Sequence, residues 1–339
     1  MSRPLHRILI VGCGSIGERH IRTFLATGRC TVAACDTRPT LLQQMGERYG
    51  IDTVTDWETA LQTSAFTGVV IATPAPLHIA MTTLALRHGK HVFIEKPLSV
   101  EEAGVDSLLA AHRESGRFVA VGYVWHCLPA LRAARAFLQT GTFGPVRHVS
   151  VTTGQHFPTF RPAYRDIYYR DRAQGGGAIQ DALTHMANTI EWMIGRTDRV
   201  FCDASHQVLE GVEVEDTVNL IAHNGDALVN YSLNQFQAPT ETRWDFHAAG
   251  GSVRVELHTQ RWGTFAKGDA EWNWSPCPVE NRDWLYQTQA ADFLDGCEGV
   301  PTLLCTLEEG LDALRFNIAA FRSWQEGRPV QLLAPALVR

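Results

Sequence analysis

Three groups of residues in this sequence have the types and spacing to do chemistry: a glycine run with a distant aspartate, a lysine just past an apolar run, and an aspartate–histidine pair. Gly12-Cys13-Gly14-Ser15-Ile16-Gly17 is a G-x-G-x-x-G run that follows a short apolar segment and opens a helical one. In that setting Gly12 permits a tight turn, Gly14 lets backbone N–H groups approach a pyrophosphate, and Gly17 lets a helix pack on a sheet. Ile16 begins the helix, whose N-terminus favours phosphate charge, and Ser15 and Ile16 are candidate cofactor contacts with the glycines. The alternative is a glycine turn that binds nothing. Asp36 stands 19 residues after Gly17, at the end of a second apolar run. A carboxylate there suits the adenosine ribose hydroxyls and favours NAD. Arg38 could pair with a 2′-phosphate, so NAD is preferred and NADP stays open.

Lys96 follows the run His91-Val92-Phe93-Ile94-Glu95, and only three lysines stand among 30 basic residues. Ligands in open α/β sheets bind outside the carboxyl ends of strands, which is where Lys96 falls. Pro97 holds Lys96 away from helical geometry. A surface ion pair is the bland alternative. Further on, Asp181, His185 and Asn188 recur at i, i+4 and i+7, opposite an apolar face of Ile179, Leu183, Met186, Ile190 and Met193. A solvated face in so arginine-rich a chain should carry Arg and Glu. Short groups suit a defined site instead.

The elements that must position these residues come in two styles. Residues 7–11, 31–35, 67–72, 91–94 and 118–121 read as buried strands. Helical stretches at 16–26, 40–49, 77–88 and 101–114 alternate with them. Short apolar strands between amphipathic helices predict a doubly wound parallel sheet. After Gly122 the pattern changes. Helices are expected at 128–140 and 177–194 and strands at 147–153, 199–209, 214–223, 227–236, 243–249 and 252–258; two helices, 283–297 and 306–325, close the chain. The fold class is therefore α/β: an N-terminal Rossmann domain over 1–122, then an α+β domain over 123–339 with a large, mainly antiparallel open sheet. The last helices are candidates to pack back on the first domain.

The chain resembles the glucose-fructose oxidoreductase / inositol dehydrogenase / MocA-like family. The resemblance rests on GCGSIGERH, on ATPAPLHIAMTTLALRHGKHVFIEKPLS (Ala72–Ser99) and on GGGAIQDALTHMANTIEWMIG (Gly175–Gly195), in the family's order. It implies an oxidoreductase that uses NAD or NADP on sugars, cyclitols or their derivatives. It also implies that Lys96, Asp181 and His185 are catalytic. Ala72, Thr73, Pro74, His78 and Glu95 then join the glycine loop as candidate cofactor contacts, together with Lys96. Tyr123, Trp125 and His126 follow the last strand of the first domain and are candidate substrate contacts, with Lys96, Asp181 and His185. The family often has Arg at the position of His126, Gly at Leu183 and Asp at Asn188, so the substrate does not carry over by name.

Residues 156–172 add His156, Tyr164, Arg165 and Tyr168 as substrate candidates, alongside Arg161, Tyr169, Arg170 and Arg172. Aromatic faces and many donors suit a polyhydroxylated ring, and guanidinium groups suit a carboxylate or pyrophosphate. An ordinary exposed loop is the alternative. A non-catalytic sensor of the same fold and a glycosidase using NAD for transient oxidation remain the competing functions. The base is His185, with Lys96 as its electrostatic partner, or Lys96 itself.

Composition bounds the rest. The chain has 339 residues, 45% hydrophobic and 19% charged, with a net charge of −6. At roughly 150 residues per domain, that length predicts two domains. There is no basic run for nucleic acid, no membrane-length apolar stretch and no signal-like N-terminus. Eight scattered cysteines without a C-x-x-C pair predict reduced thiols and a cytoplasmic protein. His and Cys do not cluster at ligand spacing, so no metal is expected. A homodimer or homotetramer through the second sheet is expected, because the helices look too few to cover both of its faces.

Overall fold

Burial on both faces explains why the first strands are so short and apolar. In the computed structural model, which describes residues 5–63 and 65–332, they are β1 (His6–Val11), β2 (Cys30–Cys35), β3 (Asp52–Val54), β4 (Gly68–Ile71), β5 (His91–Ile94) and β6 (Val119–Val121). They pair in parallel in the order β3-β2-β1-β4-β5-β6, the doubly wound nucleotide-binding order. Helices α1 (Ser15–Ala26), α2 (Pro39–Tyr49), α3 (Trp57–Leu61), α4 (His78–Arg87) and α5 (Val105–Ser115) connect them. Proline at the first position starts α2, and Gly50 in the left-handed region stops it. A later helix, Arg282–Cys297, belongs to the same compact unit, which joins Met1–Cys127 to Glu280–Gly310. Its Phe293 and Leu294 are buried in one cluster with Ile8, Ile10, Phe24 and Phe93.

The second unit joins Leu128–Val279 to Leu311–Arg339. It contains α6 (Pro129–Gln139), β7 (Val146–Gly154), the short helix α7 (Phe157–Phe160), α8 (Thr184–Ile194) and strands β8 (Arg199–Ser205), β9 (Thr217–Asn224), β10 (Ala227–Asn234), β11 (Glu241–Ala248), β12 (Gly251–Glu256), β13 (Arg261–Ala266), β14 (Asn273–Pro276) and β15 (Val330–Gln331). The nine strands run β14-β13-β12-β11-β7-β10-β9-β8-β15. Among the described residues β7 and β10 are parallel and the other neighbours antiparallel. Side chains alternate across the sheet, with Val200, Cys202, Leu220, Ala222, Val229 and Tyr231 on the buried face. On the other face Phe201, Ile221 and Leu228 are 39%, 57% and 50% exposed.

Both expected sheets are present, with differences that have local causes. β3 was not expected, because its three residues lie at an edge and carry no apolar run. β13 and β14 are half-exposed and equally unmarked. The strand expected over 199–209 ends at Ser205. Beyond it the N–H groups of Gln207, Val208 and Leu209 donate to the buried carboxylate of Asp216 at 2.8–3.0 Å instead of to a neighbouring strand. The helix expected over 177–194 is two pieces: a π turn over Ile179–Leu183, then α8. Among the described residues no helix is long and apolar enough to cross a membrane.

One buried acid near the end of α8 makes stability depend on pH. The Glu191 carboxyl is enclosed; Oε1 accepts from Thr197 N at 3.1 Å, and Oε2 has no partner among the described residues. Burial, reinforced by the negative charge of Asp312, pushes its pKa up to about 8. The folded pKa thus exceeds the unfolded value of about 4.3. The stabilising protonated form is complete below the unfolded value and is lost as pH rises through about 8. Thermal unfolding from pH 5 to 9 should therefore show a decline in melting temperature that is clearly smaller in Glu191→Gln. An equal decline in both proteins contradicts this assignment.

Candidate active site

The glycine loop joins β1 to α1 and is built too tightly for side chains. Gly12 has φ +92, and a Cβ there would lie 2.5 Å from the Ala72 carbonyl oxygen; on Gly17 it would lie 1.8 Å from the Gly12 carbonyl oxygen. A Cβ on Gly14 would meet nothing within 4 Å. The protein therefore leaves a cradle over Gly14, and α1 begins there without a side-chain cap on its N–H groups. Those free donors and that space fit a pyrophosphate. Ser15 is exposed and Ile16 half-buried beside it. Cys13 turns inward, its thiol pushed up to about 12 by burial and by Asp36.

Asp36 closes the far side of the loop. Its Oδ2 accepts from Cys13 N at 2.7 Å, and its Oδ1 accepts from Arg38 N at 2.9 Å and Arg38 Nε at 3.0 Å. Arg38 Nη2 also donates to Oδ2, at 3.1 Å. Burial works against the charge, but the Arg38 guanidinium and the backbone donors outweigh it and hold the carboxyl below its ordinary range. Sequence reading placed Asp36 and Arg38 two residues apart; the structure joins them as a pair.

Lys96 lies just past β5, and the loop is fixed on both sides of it. On one side Glu95 is buried; its Oε1 meets His20 Nε2 at 2.6 Å, and its Oε2 accepts from Lys96 N at 3.2 Å. On the other side the Lys96–Pro97 peptide is cis, and the Pro97 carbonyl accepts from His78 Nδ1 at 2.9 Å. His78 Nε2 faces the Thr73 carbonyl at 2.8 Å, so one ring ties the loop after β4 to the loop after β5. Burial lowers the proton affinity of His78, and the Thr73 and Pro97 carbonyls that face its two ring nitrogens oppose that shift. Ala72 and Thr73 are half-buried and Pro74 exposed along the same edge. His20 had no place among the expected site residues. Its signal was a histidine on the face of α1 that also buries Gly17, Ile21 and Phe24.

In the second unit the π turn and α8 carry Asp181 and His185. The turn is held by Glu215, which is fully buried: its Oε1 accepts from Ile179 N at 3.1 Å and its Oε2 from Arg172 Nε at 2.9 Å. Gly177, at φ +84, is the neighbour that makes room, since a Cβ would lie 2.4 Å from Glu215 Oε1. Asp181 is buried, and its oxygens accept from Arg161 Nη1 and from the Tyr168 hydroxyl, both at 2.5 Å. His185 is half-buried, and Asn188 is buried. The Asn317 amide donates to Thr184 Oγ1 at 3.0 Å and fixes the start of α8.

Comparison with known proteins adds the lineage. Residues 6–123 match the oxidoreductase family with an NAD-binding Rossmann fold, and residues 131–254 match the GFO/IDH/MocA C-terminal domain. The chain belongs to the Gfo/Idh/MocA family. Inositol 2-dehydrogenase of Burkholderia cenocepacia strain HI2424 is 28% identical over 194 residues, covering 56% of this chain and 54% of that protein. The chain thus spans about half the length of the inositol dehydrogenases it matches. 1,5-Anhydro-D-fructose reductase of Ensifer adhaerens is 27% identical over 334 residues, covering 97% of this chain and 99% of that one. A levoglucosan dehydrogenase solved with NADH and levoglucosan shares the fold, with a TM-score of 0.87 at 17% identity over 98% of this chain and 100% of that one.

The remaining candidate residues of this family member are placed as follows. Tyr123 and His126 are buried, His126 Nδ1 meeting the Leu303 carbonyl at 3.0 Å, while Trp125 is half-buried. His156 Nδ1 meets Thr159 Oγ1 at 2.8 Å beside α7. Tyr164 turns into a core of Phe157, Tyr169, Leu209, Val212 and Val214, and its hydroxyl donates to the Glu210 carbonyl at 2.8 Å. Arg165 Nε reaches the same carbonyl at 2.8 Å. The Tyr168 hydroxyl reaches Asp181, with Arg161 beside it. No helical or strand spacing links Arg161 to Asp181, 20 residues later. The only signal for it was its place in an arginine-rich segment.

Proposed function

We propose that the protein is an NAD(P)-dependent oxidoreductase acting on a hydroxyl-bearing or keto carbon of a sugar, cyclitol or sugar derivative, with NAD the preferred cofactor. The observation that carries this reading is the Lys96 loop, anchored on one side through Glu95 to His20 and on the other through Pro97 to His78. A structural lysine would not need flanks fixed from both sides. The relatives named for inositol, anhydrofructose and levoglucosan all act on polyhydroxylated rings, which supports the substrate class.

A nicotinamide cofactor, when bound, would supply or take up hydride. The chain's own residues do the rest. The open cradle at Gly14 and the N–H groups of α1 would hold the cofactor's pyrophosphate. Asp36, whose carboxyl is held below its ordinary range, would accept from the ribose hydroxyls. Because Arg38 is already committed to Asp36, a 2′-phosphate would have to break that pair, which supports NAD. Loss of hydride from an alcohol carbon requires loss of the hydroxyl proton, and His185 takes it; an ordinary histidine pKa of about 6.5 suits a base near neutral pH. Lys96 stabilises the negative charge that develops on the substrate oxygen.

Two substitutions test these roles. Lys96→Ala should lose turnover far more than cofactor affinity. His185→Ala should lose on the order of 10²–10⁴ in kcat. A His185→Ala protein within a few-fold of wild type would pass the base role to Lys96. Full activity in Lys96→Ala would contradict both roles, whereas a wild type that binds cofactor without any turnover would favour a non-catalytic nucleotide-binding protein.

We also infer a homodimer or homotetramer through the open face of the nine-stranded sheet. The exposed Phe201, Ile221 and Leu228 support it, because cross-strand pairing places Phe201 beside Ile221, and Leu228 pairs with His223 on the same strand as Ile221. Light scattering at micromolar concentration should report a dimer or tetramer in the wild type and a smaller species in Ile221→Arg. A monomeric wild type rules the interface out.

A further inference from the structure

Asp181 faces a cation that its catalytic role alone does not require. Its side chain is 2% exposed. Its two oxygens are divided between two donors from the segment before the π turn: Arg161 Nη1 on Oδ2 and the Tyr168 hydroxyl on Oδ1. Arg161 Nη2 also reaches the Tyr168 oxygen at 3.4 Å, and its guanidinium carbon lies 4.9 Å from the centroid of the Phe157 ring. The three side chains thus form a closed arrangement rather than a surface ion pair. Phe157 is itself held by the aromatic cluster around Tyr164 and Tyr169.

The neighbours leave Asp181 no easy proton. The attraction of Asp181 raises the proton affinity of Arg161, already an obligate cation, although burial opposes it. Tyr169 is pushed far above its ordinary range, first by burial and then by Asp181, Glu215 and Asp216, so its hydroxyl stays neutral. Glu215 is occupied by Arg172 and Ile179 N, and Asp216 by backbone donors. A carboxylate at hydrogen-bond distance from a guanidinium is a weak base and a poor relay. His185 follows Asp181 four residues later, on the next helical turn.

We propose that Arg161 and Tyr168 are positioning residues that keep Asp181 a fixed carboxylate, so that Asp181 orients and polarises while proton movement is left to His185. This rests on the dehydrogenase reading above for its consequence in turnover, but not for the charge state itself. Both act through Asp181, to whose oxygens they donate. Without Arg161, the Asp181–His185 pair loses a cationic partner and holds a proton to higher pH.

The test compares kcat/KM against pH in wild type, Arg161→Ala, Arg161→Lys and Tyr168→Phe. The carboxyl carbon of Asp181 is followed by NMR in the same proteins, its signal identified by its loss in Asp181→Asn. In Arg161→Ala the acidic limb should move up by about one to three pH units. Activity at low pH should fall by the matching factor and recover as pH rises, and the Asp181 signal should titrate where in wild type it does not. Arg161→Lys should return the limb most of the way, which a loss of packing would not do. Tyr168→Phe should move it less, and it carries the test alone if Arg161→Ala does not fold. A uniform loss across pH, with the limb and the Asp181 signal unmoved, overturns the proposal. The NMR signal needs no turnover. Its shift in a protein inactive on every polyol would therefore uphold the fixed carboxylate and refute the dehydrogenase reading.

Discussion

A carboxylate taken out of water must be answered by a cation or by N–H and O–H donors, and the second unit is arranged around three of them. Asp181 is answered by Arg161 and Tyr168, Glu215 by Arg172 and the Ile179 amide, and Asp216 by the amides of Gln207, Val208 and Leu209. Every one of these bonds has a structural consequence. Arg161, Tyr168 and Arg172 bring the segment after β7 onto the π turn that precedes α8. The Glu215 bond to Ile179 sets where the π turn begins. The Asp216 bonds end β8 and start the loop that packs on Tyr164 and Tyr169. Removing any one acid would leave donors facing an apolar interior; removing a donor would leave a buried charge.

The first unit obeys the same rule with fewer parts. Asp36 binds the Cys13 amide and Arg38, which fixes the glycine loop against the end of β2. Glu95 binds His20 and the Lys96 amide, which joins α1 to the loop after β5. The helix that would face a pyrophosphate and the loop that presents Lys96 are therefore connected through one buried histidine. His78 makes the second connection, from the β4 loop to Pro97. Rigidity at these points serves a site whose donors must already be aimed when a ligand arrives.

Much of this was legible in the sequence because it rests on local pattern. The alternation of apolar runs with helical periods gave the doubly wound sheet, and the i, i+4 spacing of Asp181 and His185 singled out their helix. Edge strands such as β3 and β14 escaped because a half-exposed strand has no apolar run to read. The π turn escaped because one extra residue per turn leaves no mark in composition. Tyr164 and Tyr168 look alike in sequence, yet one fills a core and the other reaches Asp181, a difference set by tertiary packing. Arg161 was visible only as one arginine among several, since its partner lies 20 residues away with no periodic relation to it.

The claim beneath the whole account is that this chain moves hydride between a polyol carbon and a bound nicotinamide. The most direct measurement uses sugars, cyclitols and sugar acids deuterated at their hydroxyl-bearing carbons, with mass spectrometry of the cofactor after incubation with NAD or with NADP. The account predicts that at least one polyol delivers a single deuterium to the reduced nicotinamide, faster with NAD than with NADP. A cofactor that binds and stays oxidised and unlabelled across the panel would contradict it.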